Sequence, residues 1–151
     1  MPNLPAMIGQ GVSGLYANDK CSPAQRDDVQ ALIAETGTCV AMANEDEIDR
    51  LTAISGSGPG YVFEIIRSFI EAARSQGFSP ETARALVLGT VSGAAEMAIQ
   101  SEDDPEALRN SVTSKNGTTE AGLVELRRNG ILDDLLQKTV QAAYARARAL
   151  Q

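Results

Sequence analysis

The rhythm of hydrophobic and polar positions changes near residue 43. Before it, Gly11-Val12-Ser13-Gly14-Leu15-Tyr16-Ala17 alternates weakly, and Thr38-Cys39-Val40-Ala41-Met42 is a short apolar run; each is long enough for one strand. Between them, Ser22-Pro23 has the form of an N-cap followed by a first helical position. Val29, Leu32 and Ile33 mark the apolar face of a helix that stops near Gly37. Met1-Pro2-Asn3-Leu4-Pro5-Ala6 carries prolines at positions 2 and 5 and is expected to be extended. Residues 1–43 thus predict strand, helix, strand, which is hardly a self-sufficient domain.

Past residue 43 the spacing becomes helical and no convincing strand remains. Glu45 to Ile54 predicts a helix with Ile48, Leu51 and Ile54 as inward candidates. Val62, Ile65, Ile66, Phe69, Ile70 and Ala73 then recur on one helical face, opposite Glu64, Arg67, Glu71 and Arg74. Gly77 closes this helix, and Ser79-Pro80-Glu81 opens another with a cap, a first-turn proline and an acid at the positive dipole end. Asp104-Pro105-Glu106 repeats that signal for a short helix to about Ser111. Glu120 to Arg128 predicts a further helix ending at Asn129-Gly130. Ile131 to Leu150 predicts the last, with Leu132, Leu135, Leu136, Val140, Ala143, Ala147 and Leu150 inward and Arg146 and Arg148 at its negative end.

One stretch breaks the amphipathic rule. From Ala85 through Ala95 no position is charged, and Gly89 and Gly93 stand four apart on one face, where they allow close helix approach. A helix apolar all round is buried all round. In a chain this small one set of neighbouring helices can hardly surround it, so a second subunit over the far side is expected, with the centre of a monomeric bundle as the alternative. The fold class expected is mainly α: a helical bundle over 44–151, preceded by a strand-helix-strand segment over 1–43.

Composition narrows the function. The chain has 151 residues and 43% hydrophobic content, enough for one ordinary core and a small appendage. A net charge of -7 and a pI near 4.6 argue against a nucleic-acid partner. The apolar run at 85–95 falls short of the roughly 20 residues of a spanning helix, and Met1 opens no signal peptide, so no membrane partner is expected and the cytoplasm is the default location. Cys21 and Cys39 lack a CxxC spacing and are expected to be free thiols. With no histidine, an imidazole base and the commonest zinc ligand are excluded, and no metal site is expected.

Two segments are candidates for chemistry. Ser55-Gly56-Ser57-Gly58-Pro59-Gly60-Tyr61 leads small residues into a helix, and Pro59 suits a first helical turn. Free N–H groups there favour an anion or carbonyl oxygen; close helix packing is the competing explanation. Its Gly-x-Gly-x-Gly spacing is neither a dinucleotide fingerprint nor a P-loop. Val112-Thr113-Ser114-Lys115-Asn116-Gly117-Thr118-Thr119 is dense in hydroxyls around an Asn-Gly turn and also leads into a helix. Both are suited to hold a carboxylate by backbone N–H groups. There is no nucleophile-base pair, so such a site serves either a reaction whose reactive atom a cofactor supplies, such as hydride transfer, or no reaction at all.

Together these two segments closely resemble the two motifs of pyrroline-5-carboxylate reductases. Met1-Pro2-Asn3-Leu4-Pro5-Ala6 is similar to that family's Met-Pro-Asn-Thr-Pro segment, and the likeness runs the full length, including Glu-Leu-Arg-Arg-Asn-Gly-Ile at 125–131. The resemblance implies reduction of 1-pyrroline-5-carboxylate to L-proline with NADPH or NADH, the last step of proline biosynthesis. It implies a helical domain of the 6-phosphogluconate-dehydrogenase C-terminal type that forms a homodimer, with higher assembly left open. It places Val112, Thr113, Ser114, Gly117, Thr118 and Thr119 in the substrate loop, with Thr119 hydrogen-bonded to the ring nitrogen and Glu102 as an acid near it. Gly58 and Pro59 would face the nicotinamide, and Asn3 and Pro5 would lie near the cofactor. Each residue also has a plainer explanation: Glu102 as a solvated acid, Ser114 and Thr119 as partners of turn N–H groups.

Departures from the family matter too. Its glycine fingerprint and main cofactor-binding region are not in this chain, so residues 1–43 resemble only the end of a nucleotide-binding domain. The chain alone is expected to bind NADPH poorly and to have negligible reductase activity. Lys115-Asn116 stands where the family more often has Pro-Gly, and Ser111 where Asn is common. Asn tolerates the left-handed conformation such a turn needs. A non-catalytic helical homodimerisation module derived from the family is the alternative.

Overall fold

The computed structural model describes residues 1–150. The chain forms two compact units, Met1–Val62 together with the chain from Leu136 onward, and Phe63–Leu135.

The first unit contains strand β1 (Gly11–Leu15), helix α1 (Pro23–Ala34), strand β2 (Gly37–Ala41) and helix α2 (Glu45–Leu51), with most of the final helix α7 (Ile131–Arg148). β1 and β2 pair in parallel, Gly11 opposite Gly37 through Leu15 opposite Ala41, and α1 is the crossover that parallel strands require. Its start is a capping box: Ser22 Oγ accepts from the Gln25 N–H at 3.2 Å, and Gln25 Oε1 accepts from the Ser22 N–H at 2.9 Å. Gly37 has φ 135°, and a Cβ there would lie 2.2 Å from the Gly11 carbonyl oxygen, so the first rung of the ladder admits only glycine.

Several expectations for this unit need correction. The opening segment is not extended throughout, because Leu4–Ile8 forms a 3-10 helix. Proline is tolerated in a first helical turn, the Ala6 N–H closes that turn on the Asn3 carbonyl at 3.1 Å, and Gly9 ends it at φ 73°. The apolar face of α1 is largely open: Val29 and Leu32 are exposed, and only Ile33 is half-buried. The helix begun at Glu45 does not continue as a regular α-helix to Ile54. After Leu51 it widens into a π turn over Thr52–Gly56, with the Ser57 N–H reaching the Thr52 carbonyl at 2.9 Å. Leu51 and Ala53 are buried, whereas Ile54 is exposed. Leu51 in turn explains Gly14, since a Cβ on Gly14 would stand 2.7 Å from a Leu51 methyl.

α7 is tied to α2 by polar groups. Tyr144 donates its hydroxyl hydrogen to Asp46 Oδ1, and Arg50 pairs with Oδ2. The Tyr144 hydrogen bond, supported by the Arg50 charge, holds the Asp46 carboxyl below its ordinary range.

The second unit holds most of helix α3 (Gly58–Ser75), then α4 (Pro80–Gln100), α5 (Pro105–Ser111), α6 (Thr118–Leu126) and the start of α7. Ser79 and Asp104 cap α4 and α5 by accepting from the Thr82 and Ala107 N–H groups at 3.2 and 2.8 Å. Gly77 and Asn129 supply the positive φ of the turns after α3 and α6, 92° and 55°. Burial is sparse: Ala83 and Val87 are buried, while Phe63, Ile65, Phe69, Leu86, Met97 and Ile99 are exposed. Leu135, like Leu136 and Leu150 of the other unit, is exposed rather than inward. Apolar stripes read from periodicity say which face seeks cover, and one chain does not cover these.

Candidate functional site

The hydroxyl-rich turn of the second unit is built from the residue outward. Val112 is the exposed C-cap of α5, and Thr113 folds its hydroxyl back onto the Arg109 carbonyl at 2.6 Å. Asn116 takes the left-handed conformation at φ 60°, so the tolerance of Asn for that region is used at this position. Gly117, in contrast, has ordinary extended backbone. Its glycine identity comes from crowding: a Cβ would lie 2.3 Å from Ser114 Oγ and 2.9 Å from the Ser114 carbonyl oxygen, which accepts the Gly117 N–H at 2.9 Å.

α6 begins at Thr118, two positions before the Glu120 expected, so Thr118 and Thr119 are its first helical residues and not loop. The opening N–H groups of an α-helix have no intrahelical acceptor. Here the N-cap is Gly117, which has no side chain to accept from the Thr119 N–H, and the Thr118 N–H has no intrahelical acceptor either. Those two N–H groups and the positive end of the helix dipole favour an external anion such as a carboxylate. Glu120 was missed as a turn residue: its carboxylate accepts the Asn116 N–H at 2.6 Å and locks the left-handed position. An acid at the third helical position is the legible half of a capping box, and that signal was present in the sequence.

Ser114, Gly117, Thr118 and Thr119 are therefore brought together in one turn. A surface cavity of 470 Å³ beside it is lined by Arg109, Asn110, Thr113, Glu120, Leu123, Val124 and Arg127, so Thr113 is the one expected substrate residue facing it. Glu102 lies exposed in the connection between α4 and α5, and among the described residues no hydrogen bond joins it to the turn.

The other expected site residues belong to the first unit. Ser55–Tyr61 is not an open loop; it is the end of the π turn running into α3. Its N–H groups are partly spent, because Ser57 bonds Thr52, Gly60 bonds the Ser57 carbonyl at 3.0 Å, and Pro59 has no N–H. An added Cβ at Gly58 or Gly60 meets nothing within 4 Å, so in this chain these glycines leave open surface and do not serve packing. Pro5 lies in the 3-10 helix. Asn3 has both ends of its side-chain amide engaged: Oδ1 accepts the Val12 N–H at 2.9 Å, and Nδ2 donates to Ser55 Oγ at 3.2 Å. Ser55 was the residue overlooked here, since a serine among glycines gives no sign of a distant partner. Among the described residues no group of three or more His, Cys, Asp or Glu side chains could hold a metal ion, and no helix is long and apolar enough to cross a membrane.

Known proteins are similar over this same extent. A pyrroline-5-carboxylate reductase of Pseudomonas aeruginosa is 43% identical over 150 residues, covering 99% of this chain and 55% of that protein. A solved pyrroline-5-carboxylate reductase of Coxiella burnetii superposes with a TM-score of 0.93 at 38% identity, covering all of this chain and 56% of its own. A Plasmodium falciparum pyrroline carboxylate reductase with NADP bound superposes with a TM-score of 0.91 at 32% identity, over 99% of this chain and 60% of its own. The chain thus spans a little over half the length of the relatives it matches. Residues 45–150 match the family described as pyrroline-5-carboxylate reductase dimerisation, and the chain belongs to that family.

Proposed function

We propose that this chain is the dimerising and substrate-binding part of an NAD(P)H-dependent imine reductase that converts 1-pyrroline-5-carboxylate to L-proline. Residues 44–151 would be the helical domain, of the 6-phosphogluconate-dehydrogenase C-terminal type, and residues 1–43 the end of a nucleotide-binding domain. The observation that carries the substrate assignment is the uncapped start of α6. The Thr118 and Thr119 N–H groups would take the substrate carboxylate, with Ser114 and Gly117 shaping the turn and Val112 and Thr113 flanking it. The Thr119 hydroxyl would bond the ring nitrogen as it gains a proton, and Glu102 would be the nearby acid. When bound, the reduced dinucleotide, NADPH or NADH, would supply the hydride and leave as NADP or NAD. Gly58, where an added Cβ would meet nothing within 4 Å, and the half-buried Pro59 would face the nicotinamide, with Asn3 and Pro5 behind. Holding imine and nicotinamide in register supplies the rate enhancement, and backbone dipoles stabilise the carboxylate without an acid-base triad.

A second copy of the chain would cover the apolar faces of α3 and α4. Exposed Phe63, Ile65, Phe69, Leu86 and Met97 are the surface that such a partner buries. The test is a chimera in which the part of the Pseudomonas aeruginosa relative that this chain does not match is joined to it. Imine-dependent NADPH oxidation that Thr119→Val reduces at least about a hundredfold supports the assignment, one donor at a developing charge being worth that much. A folded chimera that binds NADPH and dimerises without oxidising it would leave only a dimerisation module.

A further inference from the structure

In a parallel strand pair, alternate residues of an outer strand turn both backbone groups away from the partner strand. Along β1, Gly11 and Leu15 bond toward the β2 side, the Gly11 N–H to the Thr36 carbonyl at 2.8 Å and the Leu15 carbonyl to the Met42 N–H at 2.8 Å. Val12 and Gly14 face the other way, where no strand follows among the described residues. Backbone polar groups at such an edge require partners. Gly14 finds its own in Met1, which accepts the Gly14 N–H at 2.9 Å and donates its amino group to the Gly14 carbonyl at 2.8 Å. Val12 has no backbone partner there and is served by two side chains from different segments. Asn3 Oδ1 accepts its N–H at 2.9 Å, and the Ser55 hydroxyl donates to its carbonyl at 3.3 Å. Asn3 Nδ2 then donates to Ser55 Oγ at 3.2 Å, which closes the ring.

Ser55 lies inside the π turn, the segment that sets where α3 begins. Two further contacts bind the same pieces. A Cβ at Gly56 would stand 2.8 Å from the Met1 Cε, and the Tyr61 hydroxyl of the first α3 turns donates back to the Ala53 carbonyl at 3.3 Å. A π turn is a rare single-turn widening of a helix, and this one is met from outside the helix by the Asn3 and Val12 partners of Ser55. We propose that Asn3 and Ser55 are positioning residues: they fix the π turn on the edge of β1 and thereby set where Gly58 and Pro59 stand. This rests on the reading of Gly58 and Pro59 as the nicotinamide-facing residues. Asn3 then acts on the cofactor side through Ser55 and not by touching the dinucleotide.

The test is amide hydrogen exchange and 15N chemical shift on the whole chain, with no cofactor. Ser55→Ala speeds exchange at Ser57 and Gly60 about tenfold, the ratio that goes with one lost hydrogen bond. It moves the Gly58 resonance and leaves Thr82 and Ala107 of the second unit unchanged. Ser55→Thr, which keeps the hydroxyl, restores the parent pattern. Asn3→Ala has the same effect, and the double variant is no worse than either single one, because either change opens the same ring. If Ser55→Ala does not fold, Asn3→Asp separates the two bonds: its carboxylate still accepts from Val12 but cannot donate to Ser55, so Ser57 and Gly60 quicken and Val12 does not. Unaltered exchange at Ser57 and Gly60, multiplied effects in the double variant, or failure of threonine to rescue would each overturn the proposal. Exchange needs no turnover, so an inactive chimera with this pattern intact counts against the reductase assignment alone, and an active chimera without it counts against the positioning role alone.

Discussion

Gly89 and Gly93 give the sharpest test of a partner over α4. An added Cβ at either meets nothing within 4 Å in the single chain. Within that chain alanine is simply the better helix former, by about 0.8–1.0 kcal/mol per site, so the double substitution G89A/G93A gains roughly 2 kcal/mol. A second copy packed closely on this face changes the sign for association. Propensity favours separated and associated chains alike and cancels from the dissociation constant, whereas each methyl intrudes on the interface at about 1–3 kcal/mol. A symmetric dimer carries four such methyls, a loss of roughly 4–12 kcal/mol, and even the lower figure raises the dissociation constant about a thousandfold. Sedimentation equilibrium from nanomolar to micromolar chain, with urea melts at two concentrations, reads both quantities. The expected double variant is monomeric where the parent is dimeric. A variant that associates like the parent and is simply about 2 kcal/mol more stable would refute the reasoning and return α4 to the centre of a single-chain bundle.

Three further outcomes follow from particular contacts. Gly37→Ala forces an L side chain to φ 135° and sets its Cβ against the Gly11 backbone, so it destabilises by at least about 3 kcal/mol in urea and releases the β1–β2 pairing. Gly117→Ala keeps a permitted φ but meets Ser114, so it costs about 1–3 kcal/mol at the turn. It also weakens binding of a carboxylate such as L-proline, read from the Thr118 and Thr119 amide shifts. Asp46 is held below its ordinary carboxyl range chiefly by Tyr144. Its contribution is therefore complete above the unfolded value and is lost as pH falls through the folded one, below about pH 4. Tyr144→Phe makes the acid limb of the stability profile shallower below that pH, and an unchanged limb would remove Tyr144 as the cause.

Local signals with a local mechanism were readable from the chain. Ser22, Ser79 and Asp104 each precede a proline and each caps its helix through its own side chain. The positions where reading failed depend on groups far off in sequence. Nothing near Ile54 says that the helix widens into a π turn, because its hold on β1 runs through Ser55 to Val12, 43 residues away. Pro2 and Pro5 argued for extended chain, yet a proline is equally at home in the first turn of a short 3-10 helix. The exposed Leu135, Leu136 and Ile54 show a different limit: periodicity identifies a face that seeks burial and is silent about whether the same chain supplies the cover.

The candidate site divides along the same line. In the turn before α6, Asn116 and Gly117 were legible as a pair, and Asn116 does carry the positive φ, but Gly117 does not share it and instead makes room for Ser114. Lys115-Asn116 is therefore conformationally self-consistent in this turn, since the residue that is left-handed is an asparagine whose N–H is held by Glu120. In the glycine stretch, composition suggested an anion cradle, and the hydrogen bonds of Ser57 and Gly60 leave little of one. What remains at Gly58 and Gly60 is open surface at a helix start whose position is set by a hydroxyl and an amide, not by glycine. Under the proposed function, carboxylate recognition would fall to the start of α6, and the glycine stretch would keep the part that needs absence of side chains: letting a flat ring come close.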